Sequence, residues 1–91
     1  MKKNVLIIGG GGVAQVVAHK CAQHNDVLGS IHLASRTVEK CQQIIDSVRE
    51  KGSLKVAGDL QAHALDALDI ETTKALIDKT QSQIVINVGS S

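Results

Sequence analysis

The chain has 91 residues, enough for one small domain, and its charges nearly cancel at a formal net +1. Hydrophobic residues make up 43% of it, and it contains no aromatic residue. A chain of this size buries roughly 60–65% of the surface that it exposes when unfolded, so its stability margin is thin. Without a basic run or an aromatic platform for stacking bases, it is not expected to bind nucleic acid. Its longest apolar run falls far short of the roughly 20 residues that cross a bilayer, so we expect no membrane partner.

An uninterrupted apolar run, Val5 to Ile8, stands close to the amino terminus. Such a run is typical of a parallel strand that is covered on both faces. It follows two lysines, as in a signal peptide, but it is too short for one and ends on glycines rather than on a cleavage site. We therefore expect a cytoplasmic protein.

Four consecutive glycines begin at Gly9, directly after this run. With Gly11 and Ala14 they form G-x-G-x-x-A, the spacing of a dinucleotide-binding turn. Gly9 allows a tight turn out of the strand, Gly11 leaves room for a pyrophosphate, and Ala14 lets the following helix pack on its strand. The first amides of that helix, at Gly12 and Val13, would point at the diphosphate.

The glycine run has two other possible interpretations. A glycine-rich surface loop is possible for any such run, but here the glycines lie between a strand and a helix, which is the context that the dinucleotide motif requires. A P-loop is excluded, because no lysine followed by serine or threonine ends the run. The dinucleotide interpretation is favoured.

The rest of the chain predicts helices and strands in alternation. The expected helices are Val13 to about Gln23, a second from the cap Thr37 to about Glu50, and Ile70 to Thr80 with Asp69 as its cap; the later strands are Ile31 to Ala34, Ala62 to Asp66 and Ile84 to Val88. Gly29-Ser30 is expected as a turn, Gly52 as a helix end, and Ser53 to Gln61 as a loop or a loose strand. The order βαβαβαβ with right-handed crossovers predicts an α/β fold, a doubly wound parallel sheet of Rossmann type in the order 3-2-1-4.

Apolar residues at helical spacing predict which helix faces are buried. They are Val13, Val16, Val17 and Cys21 in the first helix, Val38, Cys41, Ile44, Ile45 and Val48 in the second, and Ala75, Leu76 and Ile77 in the third. The two cysteines are expected as packed thiols. The four histidines show no ligand spacing, so we predict no metal site and expect surface or partly buried positions for all four.

The sequence Ser35-Arg36-Thr37 ends the second predicted strand, where NAD-specific folds usually carry an acidic residue for the ribose. Arg36 can pair with a 2′-phosphate and lie on the adenine, while Ser35 and Thr37 can add hydrogen bonds. Arg36 could instead be a solvated charge, but an arginine is otherwise unfavourable at a helix amino terminus. We therefore predict NADP(H) as the cofactor.

Four further positions are predicted to contact the cofactor from their place at strand ends. Asp66 and Ala67 follow the third predicted strand, where an adenine edge would rest, and Asp66 could accept from the exocyclic amine or serve only as a turn residue. Asn87 and Gly89 leave the fourth strand beside the glycine turn, near the nicotinamide-side ribose. Asn87 could equally satisfy backbone groups at the strand end.

Several stretches resemble the amino-terminal domain of the saccharopine dehydrogenase-like family. They are Lys3 to Gly9 with Gly11 to Ala14, Ala34 to Thr37, Leu65 to Ala67, and Val85 to Asn87. Gln15 to Cys21 resembles the subgroup that synthesises carboxylated polyamines. Gly10 stands where members often have Ala or Ser, and we expect no effect of this difference on phosphate binding.

The resemblance implies NADPH-dependent reduction of an imine formed between aspartate semialdehyde and a diamine, hence a small-molecule substrate. Family members are several times longer than this chain. We therefore expect residues 1–91 to be the amino-terminal part of an NAD(P)-binding domain of a longer oxidoreductase, inactive alone and containing no catalytic residue. An NAD(P)-sensing regulatory module without catalysis remains the alternative, and a scaffold that has lost the cofactor is disfavoured by the intact glycine motif. We expect a homo-oligomer, with self-association of the isolated piece at the edge strand Ile84 to Val88.

Overall fold

The structure is a computed structural model that describes residues 2–88. Four strands alternate with three helices. In chain order these are β1 (Lys3–Ile8), α1 (Gly12–Gln23), β2 (Leu28–Ser35), α2 (Val38–Lys51), β3 (Leu60–Ala64), α3 (Ile70–Thr80) and β4 (Ser82–Asn87). No helix within residues 2–88 is both long and apolar enough to cross a membrane.

All three strand pairings are parallel, in the order β3-β2-β1-β4. In the centre, Leu6 of β1 is aligned with His32 of β2 and with Val85 of β4. Helices α1 and α2 pack on one face of the sheet and α3 packs on the other. The predicted α/β fold and the strand order 3-2-1-4 are both confirmed.

The second and third strands begin earlier than the sequence pattern predicted. Gly29 and Ser30 lie within β2 rather than in a turn, because pairing with β1 extends down to Lys3 and the Asn4 side chain accepts a hydrogen bond from Ser30 N at 3.0 Å. Tertiary pairing therefore overrides the turn preference of a Gly-Ser sequence. Strand β3 likewise begins at Leu60 and ends before Asp66, which places Asp66 in the loop after the strand.

Strand β4 is only partly buried. Its residues alternate between partly buried and exposed, and 44% of Val85 is exposed. Within the described part of the chain β4 pairs with β1 alone, so it is an edge strand, and edge strands lie partly open to solvent.

The buried face of α1 also differs from the prediction. Its buried residues are Ala14, Ala18 and Ala22, spaced four apart, whereas Val13 and Val16 are 62% and 61% exposed. Residues four apart share one helix face, and alanines allow the helix axis to approach the sheet closely. The small residue that the glycine motif needs at position 14 thus begins the buried row. Val17 and Cys21, which were also predicted to face inward, are partly buried against the core, so the prediction is wrong for Val13 and Val16 only.

The ends of the other helices follow the predicted signals more closely. Gly52 ends α2 with φ 63°, in the left-handed region that favours glycine, and Asp69 caps α3 by accepting from Thr72 N at 3.1 Å. Thr37 is the N-cap residue of α2, although its hydroxyl makes no capping bond. Ala75, which was expected to face inward, is exposed.

Candidate functional site

The carboxyl ends of all four strands line one cleft of about 620 Å³. This is the edge of a doubly wound sheet where ligands bind, and the strand order places the topological switch point there, between β1 and β4. Seven predicted cofactor contacts line the cleft: Gly9, Ser35, Arg36, Thr37, Asp66, Ala67 and Asn87. Gly11, Gly12, Val13 and Ala14 lie in the adjoining turn and first turn of α1, and Gly89 is outside the described residues.

The glycine turn leaves the sheet as its sequence predicted. Gly9 has φ 138°, a backbone conformation that favours glycine, and its amide donates to Ala34 O at 2.8 Å. A β-carbon built on Gly11 or Gly12 would have no atom within 4 Å, so this part of the turn is open to an approaching group. Ala14, in contrast, is fully buried against the sheet. The turn therefore combines an open outer surface with a tightly packed base.

The amino terminus of α1 has neither a capping side chain nor an acidic residue to satisfy its first amides. Its N-cap is Gly11, which has no capping side chain, and its first turn contains no acidic residue. In α3, by comparison, both features are present, with Asp69 as cap and Glu71 in the first turn. Unpaired amides and the positive end of the helix dipole attract an anion. The residues of this turn thus fit a diphosphate.

Ser35 lies at the floor of the cleft, and its hydroxyl is already engaged. The residue is 2% exposed, donates from Oγ to Thr37 O at 2.7 Å, and accepts from the Cys41 thiol at 3.4 Å. Burial raises the pKa of that thiol, so it remains a neutral donor. A hydrogen bond from Ser35 to a phosphate stays a prediction, and it requires the serine to give up its bond to the backbone.

Arg36 and Asp66 lie close together where β2 and β3 end. The distance from Arg36 Nε to Asp66 Oδ1 is 3.8 Å, and both side chains are more than half exposed. Asp66 Oδ1 also accepts from Leu68 N at 3.0 Å, which fixes the carboxylate in a local turn. Asp66 is thus held by a backbone amide as well as by the ion pair, and the exposed Arg36 side chain lies at the cleft, where it can meet an anion.

Sequence reasoning did not identify three residues of this region. Leu65 and Leu68 line the cleft; Leu65 is buried, whereas Leu68 is 80% exposed. The sequence could have pointed to them, because these two apolar residues flank Asp66 and Ala67, where the adenine is expected to lie. The third is Lys40, whose stem lies against the glycine turn.

Two histidines come together away from the cleft. Nδ1 of His32 and Nε2 of His63 are 2.9 Å apart on the neighbouring strands β2 and β3. Burial lowers the pKa of both rings. Repulsion between the two rings lowers the pKa of His32 further, against an opposing effect of Asp59, and the charge of Lys79 lowers the pKa of His63. His32 is 5% exposed, so the expectation of a surface or partly buried histidine was wrong for it. Within residues 2–88 no three metal-binding side chains cluster.

The fold and the turn together define a nucleotide-binding domain of the Rossmann class. A family model for the saccharopine dehydrogenase NADP binding domain matches residues 5–91. The chain therefore belongs to this family, and its predicted cofactor, NADP(H), is confirmed at the level of the family.

Relatives support the same assignment. The chain is 52% identical over 86 residues to the carboxynorspermidine synthase of Vibrio alginolyticus, covering 93% of this chain and 21% of that protein. It is 45% identical over 84 residues to the carboxyaminopropylagmatine dehydrogenase of Synechocystis sp., covering 92% and 19% respectively. The chain thus spans about a fifth of the length of the curated relatives that it matches.

A solved structure shares the fold. The apo saccharopine dehydrogenase (L-Glu forming) from Saccharomyces cerevisiae superposes with a TM-score of 0.68 at 24% identity, over 96% of this chain and 16% of that one. At this level of identity the comparison shows the fold alone.

Proposed function

We propose that residues 1–91 form the amino-terminal, NADPH-binding part of a longer oxidoreductase that reduces an imine formed from aspartate semialdehyde and a diamine. The observation that carries the proposal is the amino terminus of α1. Its N-cap Gly11 offers no side chain, and a β-carbon built on Gly11 or Gly12 would meet no atom within 4 Å. An arginine at the neighbouring strand end supplies a charge complementary to a 2′-phosphate.

The residues of this chain act by holding and orienting the dinucleotide. The amides at the start of α1 would bind the diphosphate, Arg36 the 2′-phosphate, and the surface around Ala67 and Leu68 the adenine. NADPH, when bound, supplies the hydride. The contribution of the domain to rate is to fix the geometry of transfer, and we assign no general acid or base to it.

The choice of substrate rests on the names of the relatives. Those named carboxynorspermidine synthase or carboxyaminopropylagmatine dehydrogenase are 45–52% identical to the chain. A shikimate dehydrogenase (NADP(+)) from Methanocaldococcus jannaschii is 30% identical over 86 residues. Relatives with different substrates thus share this part of the chain, which indicates that it serves the cofactor and that substrate choice lies elsewhere.

The experiment is a turnover assay on the full-length protein. Oxidation of NADPH is followed by its loss of absorbance in the presence of aspartate semialdehyde and one amine. Diaminopropane, putrescine and agmatine are tested in turn as the amine. We expect turnover only when aldehyde and amine are both present. Tight NADPH binding without turnover on any pair would support the regulatory alternative instead. Turnover by the 91-residue chain alone would contradict its assignment as the cofactor-binding part.

A further inference from the structure

The histidine pair lies on the face of the sheet that carries α3. Ala34 of β2 is aligned with His63 of β3, so His63 and His32 are diagonal neighbours on one face. Ala34 belongs to the apolar cluster that contains Leu76 of α3, which identifies this face. The pair therefore connects β2 to β3, the strand at one border of the described sheet.

The two rings approach each other through one nitrogen each. His32 Nδ1 and His63 Nε2 are 2.9 Å apart, the ring centroids are 5.1 Å apart, and the ring planes are tilted by 36°. One of the two nitrogens donates a hydrogen bond to the other. A tetrahedral zinc ion with Zn–N bonds of about 2.0–2.1 Å holds two imidazole nitrogens about 3.3 Å apart. A small widening of the gap and a turn of both rings would therefore make the pair two ligands of one ion.

Both imidazoles are in the neutral form that binds a metal ion. Burial lowers the pKa of His32 and of His63, so both rings are neutral at pH values above the ordinary 6.5. To bind the ion, the hydrogen between the facing nitrogens moves to the outer nitrogen of its own ring. This change of tautomer releases no proton from the neutral pair. The ion thus replaces one hydrogen bond and does not have to displace a charge.

Two charged side chains act on a cation at this position. Besides burial and the repulsion between the rings, Asp59 raises the pKa of His32, and Lys79 in the last turn of α3 lowers the pKa of His63. The carboxylate therefore attracts positive charge between the rings, and the ammonium group repels it. Among residues 2–88 no further metal-binding side chain makes the pair a cluster of three. Water would complete the coordination shell, and an ion held by only two protein ligands exchanges readily.

We propose that His32 and His63 form a binding site for an exchangeable divalent transition-metal ion of the zinc class. Imidazole is a ligand suited to zinc, copper and nickel, whereas magnesium and calcium prefer oxygen ligands. The ion joins β2 to β3 and stabilises the folded chain by binding to it alone. This proposal departs from the expectation of no metal site, which was based on histidine spacing along the chain. That spacing cannot show a pair that the register of two strands creates.

The test is a calorimetric titration of the full-length protein with zinc chloride at a pH well above 6.5. His63→Gln keeps a side chain that can hydrogen-bond to His32 but removes one imidazole. We expect it to lose one zinc equivalent per chain or at least about tenfold in affinity, because even a residue that only orients a metal ligand contributes this much. Magnesium chloride should give no binding at this site in either protein. His24→Gln, at an exposed position, is the matched control and should bind zinc as the wild type does.

Two further variants keep both rings and test where the ion lies. Lys79→Met removes the repelling charge and should tighten zinc binding about threefold, whereas Asp59→Asn should weaken it by a similar factor. Lys74→Met, at another exposed position of α3, should have no effect. Equal zinc binding by the wild type and His63→Gln would overturn the proposal. Equal effects of the two lysine substitutions would also overturn it, and they decide the question if His63→Gln does not fold.

Discussion

The guanidinium of Arg36 and the carboxylate of Asp66 meet at the adjacent ends of β2 and β3, with Nε and Oδ1 separated by 3.8 Å. Both groups are largely in water, and pairs of this kind contribute about 0–1 kcal/mol. A phosphate monoester carries more charge than a carboxylate and accepts bidentate hydrogen bonds from arginine. The pair thus holds the arginine at the cleft without binding it so tightly that a 2′-phosphate could not displace the carboxylate.

Replacing Arg36 with alanine should reduce NADPH binding selectively. The loss of one charge-assisted pair should cost on the order of 1.5–3 kcal/mol for NADPH and little for NADH. Calorimetric titration of the full-length protein with each cofactor measures both values. Arg49→Ala, in the last turn of α2, serves as the matched control. Equal losses for the two cofactors would remove Arg36 from its assigned role.

Replacing Asp66 with asparagine should have the opposite effect on cofactor preference. The substitution removes a negative charge beside the phosphate site and frees Arg36, but the amide oxygen can still accept from Leu68 N and from an adenine amine. We expect NADPH binding to improve by about 0.5–1 kcal/mol relative to NADH. The same titrations give the answer. Weaker binding of both cofactors would show that the charge of the carboxylate itself contributes to binding the adenine.

Leu68 should contribute to the binding of both cofactors alike. It lines the cleft and is 80% exposed, so adenine would cover an apolar side chain that the folded chain leaves open. Leu68→Ser should weaken NADPH and NADH equally, by roughly 1–2 kcal/mol. Ile70, which is 67% exposed but does not line the cleft, provides the control Ile70→Ser. A change confined to one cofactor would place Leu68 near the 2′-phosphate instead.

The sequence was sufficient to predict the order of elements and the glycine turn, because these depend on local signals. Apolar runs, caps and the spacing of Gly9, Gly11 and Ala14 all act within one turn or strand. The buried alanine row of α1 could not be found in the same way. Hydrophobic spacing favours the larger valines, and only the close approach of helix to sheet selects alanine.

Side-chain contacts between distant segments could not be predicted from the sequence either. The bond between His32 and His63 joins residues 31 positions apart and depends on the register of β2 and β3. The stem of Lys40 meets Gly10 only because α2 begins beside the glycine turn. Nothing in the sequence distinguishes Lys40 from the other lysines of the chain.

The histidine pair should make the stability of the chain depend on pH. Burial lowers the pKa of His32 and of His63 below the ordinary value of 6.5, so the unfolded chain takes up protons before the folded one does. Above pH 6.5 these two groups should leave the free energy of unfolding unchanged. As the pH drops below 6.5 the free energy of unfolding should fall, and it should level off below the pKa values of the folded chain. Each histidine contributes at most about 1.4 kcal/mol per pH unit.

Denaturant unfolding at a series of pH values measures this dependence. His63→Gln removes one titrating ring but keeps a hydrogen-bonding side chain beside His32, so the decline between pH 6.5 and the folded pKa should become shallower. His19 titrates in the same range, because burial and then Lys51 lower its pKa, and the difference between wild type and variant cancels its contribution. His24→Gln, an exposed position, is the control. A decline as steep in the variant as in the wild type would show that the pair is not its source.

The outer edge of β4 should mediate self-association of the 91-residue chain. Within residues 2–88, β4 pairs with β1 alone, and its exposed Val85 lies beside an open row of backbone groups. Such edges pair with other chains unless a charge blocks the approach. Light scattering over a range of concentrations should show a mass above that of the monomer, and Val85→Lys should lower it. Val56→Lys adds the same charge at a loop residue that is 39% exposed, and it should leave the mass unchanged. A monomer at high concentration, or an equal effect of both lysines, would contradict association through β4.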